Sequence, residues 1–149
     1  MPPSNDPQFL TFRYERMKNS PNNWLFWIAS FSLFNGIFLT MKQDTMLLAG
    51  MVSPYAFAGA IPHFVAAAVF VVLGVIGRKK IPVLTYVGIG IYLLDTIYIA
   101  VSGVSAASAL VLHAVVLLFI GFTILRTKSL AKQLAAIQRL SDPFPNQPK

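Results

Sequence analysis

PVLTYVGIGIYLLDTIYIAV, residues Pro82 to Val101, is a run of twenty residues with one charge, Asp95. About 20 predominantly apolar residues cross a bilayer core as a helix. Both flanks suit that reading. Arg78-Lys79-Lys80 precedes the run and Ser102-Gly103 follows it. Working outward, three more apolar segments appear, from about Trp24 to Thr40, Pro54 to Gly77 and Ser105 to Leu125. Met41-Lys42-Gln43-Asp44-Thr45 separates the first pair. The expected fold is therefore all-α: a four-helix transmembrane bundle.

The composition agrees. The 149 residues are 56% hydrophobic and 11% charged, with a mean hydropathy of +0.64. A soluble domain carries roughly a quarter charged residues. This chain has too little polar surface for a soluble fold and too much apolar surface for disorder. It has no cysteine, which excludes disulfides, thiolate metal sites and thiol catalysis.

The net charge of +7 is unevenly placed. Arg13, Arg16 and Lys18 precede the first span. Arg78, Lys79 and Lys80 lie between the second and third, and Arg126, Lys128, Lys132, Arg139 and Lys149 follow the fourth. Four crossings bring all eleven to one side, leaving Lys42 on the other, so both termini are expected to be cytoplasmic in a plasma (inner) membrane. Trp24, Trp27, Tyr55 and Tyr86 fall near span ends, as interfacial aromatics do. A secretory signal peptide is not expected, because a long polar tail precedes the first span.

Residues 1–23 and 126–149 read as tails carrying short interfacial segments. Leu130, Leu134 and Ile137 share a helical face away from Lys132 and Arg139, and Phe9, Phe12 and Tyr14 with Arg13 and Arg16 form a weaker counterpart. Anionic head groups are the expected partners of Arg78, Lys79, Lys80, Arg126, Lys128 and Lys132. Nucleic acid is not an expected partner, since the positives spread along one membrane face. Asp142 to Lys149 is proline-rich and expected to be disordered.

Ser20-Pro21 and Ser53-Pro54 are helix-start signals. With a start at Pro54, Pro62 falls inside the second helix and kinks it. The alternative, a span beginning at Pro62, has only about 16 residues, which is short for a crossing.

The halves align. Phe31-Ser-Leu-Phe-Asn35-Gly-Ile-Phe-Leu39 matches Ile91-Tyr-Leu-Leu-Asp95-Thr-Ile-Tyr-Ile99 in character, and Ala60-Ile-Pro-His63-Phe-Val65 matches Leu110-Val-Leu-His113-Ala-Val115. Two similar hairpins related by an axis along the membrane normal would follow. Chance is the rival reading, because apolar segments align with one another easily.

Asp95 is the most informative residue. An ionised carboxylate at mid-span costs at least ~2.5 kcal/mol on insertion scales, and such groups face a partner inside the bundle. Counted from the outer ends at about 1.5 Å per residue, Asn35, His63, Asp95 and His113 all lie about 9–14 Å deep. Stripes at helical spacing carry them. They are Thr85, Gly88, Tyr92, Asp95 and Ser102 on the third span, Ala56, Gly59, His63, Ala67, Phe70, Gly74 and Gly77 on the second, and Ala106, Ala109, His113, Leu117 and Gly121 on the fourth.

Asn35, His63, Tyr92, Asp95 and His113 are the candidate ligand- or ion-binding residues. Each also has a structural reading: Asp95 hydrogen-bonded to a histidine, His63 satisfying backbone opened by the kink, Asn35 bonding between helices. Three chemistries stay open. His63 and His113 could ligate a haem b axially, the two histidines with Asp95 could hold a divalent metal, and Asp95 with a histidine could relay a proton. Gly88-x-Gly90 lies inside a span and is not a nucleotide loop. Ser102, Ser105 and Ser108 have no histidine at suitable depth for hydrolase chemistry.

The layout resembles small four-helix bacterial membrane proteins with a histidine in the second and fourth helices, a resemblance that implies architecture and no activity. Two main functions remain. One is a non-enzymatic subunit or accessory of a membrane assembly, or a homo-oligomer. The other is a transporter or ligand-binding protein built on Asp95 and the histidines. A haem or metal redox protein is the third.

Overall fold

The computed structural model of the chain describes residues 6–42, 50–51, 59–79, 83–102 and 107–141. Five helices account for nearly all of them: α1 (Pro7–Met17), α2 (Ser20–Thr40), α3 (Ile61–Lys79), α4 (Val83–Ser102) and α5 (Ala107–Ser141). No strand occurs among the described residues. Four helical stretches, containing α2, α3, α4 and α5, are long and apolar enough to cross a membrane.

The second span departs from the expected kinked helix. Gly59 adopts φ +98°, a left-handed conformation that suits glycine and interrupts a helix. α3 then begins at Ile61, and the Ala60 carbonyl accepts from the N–H of His63 at 3.1 Å and of Phe64 at 3.4 Å. Pro62 thus occupies the first turn, where its missing N–H removes no helical bond. The span starting near Pro62 is the one the chain forms, with 19 residues to Lys79. The residues around Pro54 and Tyr55 lie outside those described. At the other signal, α2 starts at Ser20 with Pro21 in its first turn, as the sequence indicates.

The chain divides into two compact units. The larger, Pro21–Ile120, holds most of α2, all of α3 and α4, and the first part of α5. Its helices meet at small residues. A Cβ on Gly74 would stand 3.0 Å from the Phe26 ring, and one on Gly36 would stand 2.9 Å from Phe64. These contacts run in opposite order along α2 and α3, so the two are antiparallel. On α4, a Cβ on Gly88 would meet Leu25 at 2.9 Å, and Thr85 donates to Asn22, so α4 runs parallel to α2. Trp24 stacks on Phe119 of α5, with ring centroids 6.0 Å apart. Without a hydrophobic force between helices in lipid, such close approach at small residues is what association depends on.

The smaller unit comprises Met1–Ser20 and Gly121–Lys149. Its described part is α1 and the C-terminal stretch of α5. Asp6 caps α1 by accepting from the Gln8 N–H at 2.9 Å. Among its described residues, Leu10 and Leu130 are the buried apolar ones. The Thr127 hydroxyl lies 3.4 Å from the Met17 carbonyl. α5 itself is continuous from Ala107 to Ser141, and the division into units falls within it, between Ile120 and Gly121. The segment with Leu130, Leu134 and Ile137 is helical and belongs to α5, and Lys132 and Arg139 are exposed on it.

Candidate functional site

The buried face of α4 is Thr85, Gly88, Tyr92, Asp95 and Ile99, at three- and four-residue steps. It matches the expected stripe up to its last member. Ser102 is exposed and Ile99 holds the next inward position. On α3, His63, Ala67, Phe70, Gly74 and Gly77 are buried, while Gly59 is exposed ahead of the helix. On α5, Ala109 and His113 are buried and Leu117 and Gly121 are half-buried, with Ile120 the next fully covered residue. Ala56 and Ala106 lie outside the described residues.

Asp95 and His113 meet across α4 and α5. His113 Nε2 stands 3.1 Å from Asp95 Oδ2, and both side chains are fully buried. His113 Nδ1 stands 2.9 Å from the Ala109 carbonyl oxygen, one turn back on its own helix. A carbonyl only accepts, so Nδ1 carries a proton and donates it. A hydrogen bond at Nε2 then needs one further proton, held either by Nε2 or by Asp95. The pair is neutral overall in both cases, which is the condition for leaving it in a low-dielectric interior. The Tyr92 ring, one turn from Asp95, stacks on the imidazole with centroids 4.7 Å apart and planes 11° apart. Tyr92 itself is fully buried.

His63 is fully buried. Its place in the helix differs from the expectation. It lies two residues into α3, about 3 Å of rise, because the helix begins at Ile61. A depth counted from a helix start at Pro54 therefore does not apply to this residue. Asn35 is fully buried on α2. The chain after α2 folds back against it: a Cβ on Gly50 would stand 2.9 Å from Asn35 Nδ2 and 2.8 Å from the Phe31 backbone. The Met51 N–H donates to Ser32 Oγ at 3.0 Å. Buried non-helical backbone needs such internal satisfaction.

The structure thus joins His113 to both Asp95 and Tyr92 and buries His63 near the start of α3. In this arrangement His113 commits both ring nitrogens inside the chain, leaving no lone pair for haem or metal. Among the described residues no three of His, Asp and Glu stand where they could hold a metal ion.

Two features escaped the sequence reading. Ser32, three residues before Asn35 on the same face, was legible from spacing alone. The second is a polar latch at the opposite end of the helices, where Asn22 accepts from Thr85 beside Gly77. Of the expected surface residues, Arg78 is exposed at the end of α3 and donates to Asn23. Arg126, Lys128 and Lys132 are exposed along α5, with the Arg126 guanidinium 6.0 Å from the centre of the Phe122 ring. Lys79 ends α3, and Lys80 lies outside the described residues. The chain matches no family model, no curated protein and no solved structure.

Proposed function

We propose that this chain is a small, non-enzymatic integral membrane protein that serves as a subunit or accessory of a larger membrane assembly, or assembles with itself. The supporting observation is the His113–Asp95 pair, fully buried and completed by the Ala109 carbonyl and the Tyr92 ring. A centre closed in this way holds α4 to α5 and leaves the apolar outer faces for lipid and other subunits. The positively charged side, carrying both termini, is the cytoplasmic face of the plasma membrane. The two halves are a duplication in which Asn35 corresponds to Asp95 and His63 to His113, and all four are buried.

Mass measurement of the native complex after mild extraction tests the function. An assembly larger than the 16.4 kDa chain, unchanged by Asp95→Asn, is expected. A monomer in native membranes would overturn the proposal. A reporter fused after Lys149 should be read on the cytoplasmic side, and an external signal would reverse the topology.

A second reading, proton-coupled transport, draws on the single proton that the His113–Asp95 contact holds inside the bundle. It requires pH-driven flux in proteoliposomes that Asp95→Asn abolishes without loss of fold. Flux that survives that substitution, or its absence in the wild type, rejects it.

A further inference from the structure

A groove of about 450 Å³ runs between α2 and α3, lined by Phe26, Ala29, Leu33, Phe64, Ala67 and Val71 among others. It is apolar throughout. Even Ser30, which lines it, turns its hydroxyl to the Phe26 carbonyl at 2.9 Å. The lining follows one face of each helix over about 10–12 Å at 1.5 Å per residue. At one end the same faces lead to a cation. Arg78 lies seven residues beyond Val71, and Asn23 lies one turn before Phe26. The two meet there, with the guanidinium donating to Asn23 and lying 5.4 Å from the centre of the Phe26 ring. Arg78 is exposed, and a guanidinium carries five donors in a fork that matches phosphate.

We infer that this groove is a binding site for an anionic phospholipid, with one acyl chain along Ala29, Ala67 and Val71 and the phosphate on Arg78. A phospholipid supplies an apolar chain and then an anion in the same order as the groove supplies its apolar wall and then a cation. A partner helix seated there would have to bring an acid to Arg78 at the same level. Bilayer tails are as apolar as the groove, so filling it confers no selectivity. Selectivity comes from the head-group end.

The test is native mass spectrometry of the full chain released from vesicles of equal phosphatidylglycerol and phosphatidylcholine with identical chains. One retained lipid is expected, with phosphatidylglycerol preferred about fivefold, the factor for a single basic residue near an anionic surface. Arg78→Gln should remove the preference, whereas Lys132→Gln should leave it intact. Ala68→Trp, at an exposed groove position, should reduce retention of both lipids while helical circular dichroism is unchanged. No preference in the wild type, or a preference that survives Arg78→Gln, would overturn the site. So would full retention in Ala68→Trp, or a second copy of the chain retained in place of lipid and lost in that variant.

Discussion

The Asp95–His113 pair yields the sharpest energetic prediction. At 3.1 Å an ion pair would gain about 5 kcal/mol at an effective dielectric of 20, but desolvation offsets most of that. Polar contacts between membrane helices average ~0.6 kcal/mol and reach ~1.7 in double-mutant cycles. Both side chains are fully buried, so neither recovers water when its partner is removed, which places this pair at the upper end. Asp95→Leu and His113→Leu each strand one buried polar group, costing roughly 1–3 kcal/mol. The double variant strands none, so its loss should fall short of the sum by about 1–2 kcal/mol. Asp95→Asn behaves differently. Its amide can donate to Nε2 while Nδ1 continues to donate to Ala109, so it should stay within about 1 kcal/mol of wild type. Reversible unfolding in mixed micelles, followed by circular dichroism, measures all four. Additivity within about 0.5 kcal/mol, or an Asn variant as damaged as the Leu variant, would refute the shared-proton geometry.

The glycines supply graded controls in the same assay. At Gly77 a Cβ would meet Thr85 Oγ1 at 2.7 Å and Asn22 Oδ1 at 2.9 Å, so Gly77→Val should cost about 1–3 kcal/mol by overpacking and loosen the Thr85–Asn22 bond. Gly50→Ala meets backbone of Phe31 at 2.8 Å, which cannot rotate away. Faster amide exchange at Met51, whose N–H is held by Ser32, is the expected sign. Gly90→Ala has nothing within 4 Å and should be neutral or stabilise by up to about 1 kcal/mol through helix propensity. A clear loss of stability there would show that α4 has a neighbour at Gly90.

Much of the candidate site was readable because helical periodicity projects side chains onto faces regardless of partner. The run Thr85, Gly88, Tyr92, Asp95 marked the buried face of α4 at three- and four-residue steps, and Ala67, Phe70, Gly74 and Gly77 did the same for α3. The start of α3 was not readable. The apolar residues between Pro54 and Ala60 continue the hydropathy of a span, and a proline suits a first turn at either position 54 or 62. The left-handed backbone at Gly59 decides between them, and a glycine in a sequence does not announce its φ. The turn-back that brings Gly50 and Met51 onto Ser32 and Asn35 was equally hidden. It rests on contacts 15 or more residues apart.

Sequence alone determined that this chain is helical and has four segments fit for a bilayer, because segment length and apolar content act locally and need no partner. It also named the buried polar residues, since an acid and two histidines in apolar segments must turn inward. Which histidine takes the acid was a tertiary matter. His63 and His113 both stood at suitable offsets, and only the approach of α4 to α5 brings Nε2 of His113 to Asp95. The arrangement around Arg78 was decided in the same way. Its charge was plain in the sequence as a topology signal, but its position at the end of an apolar groove exists only once α2 and α3 lie side by side.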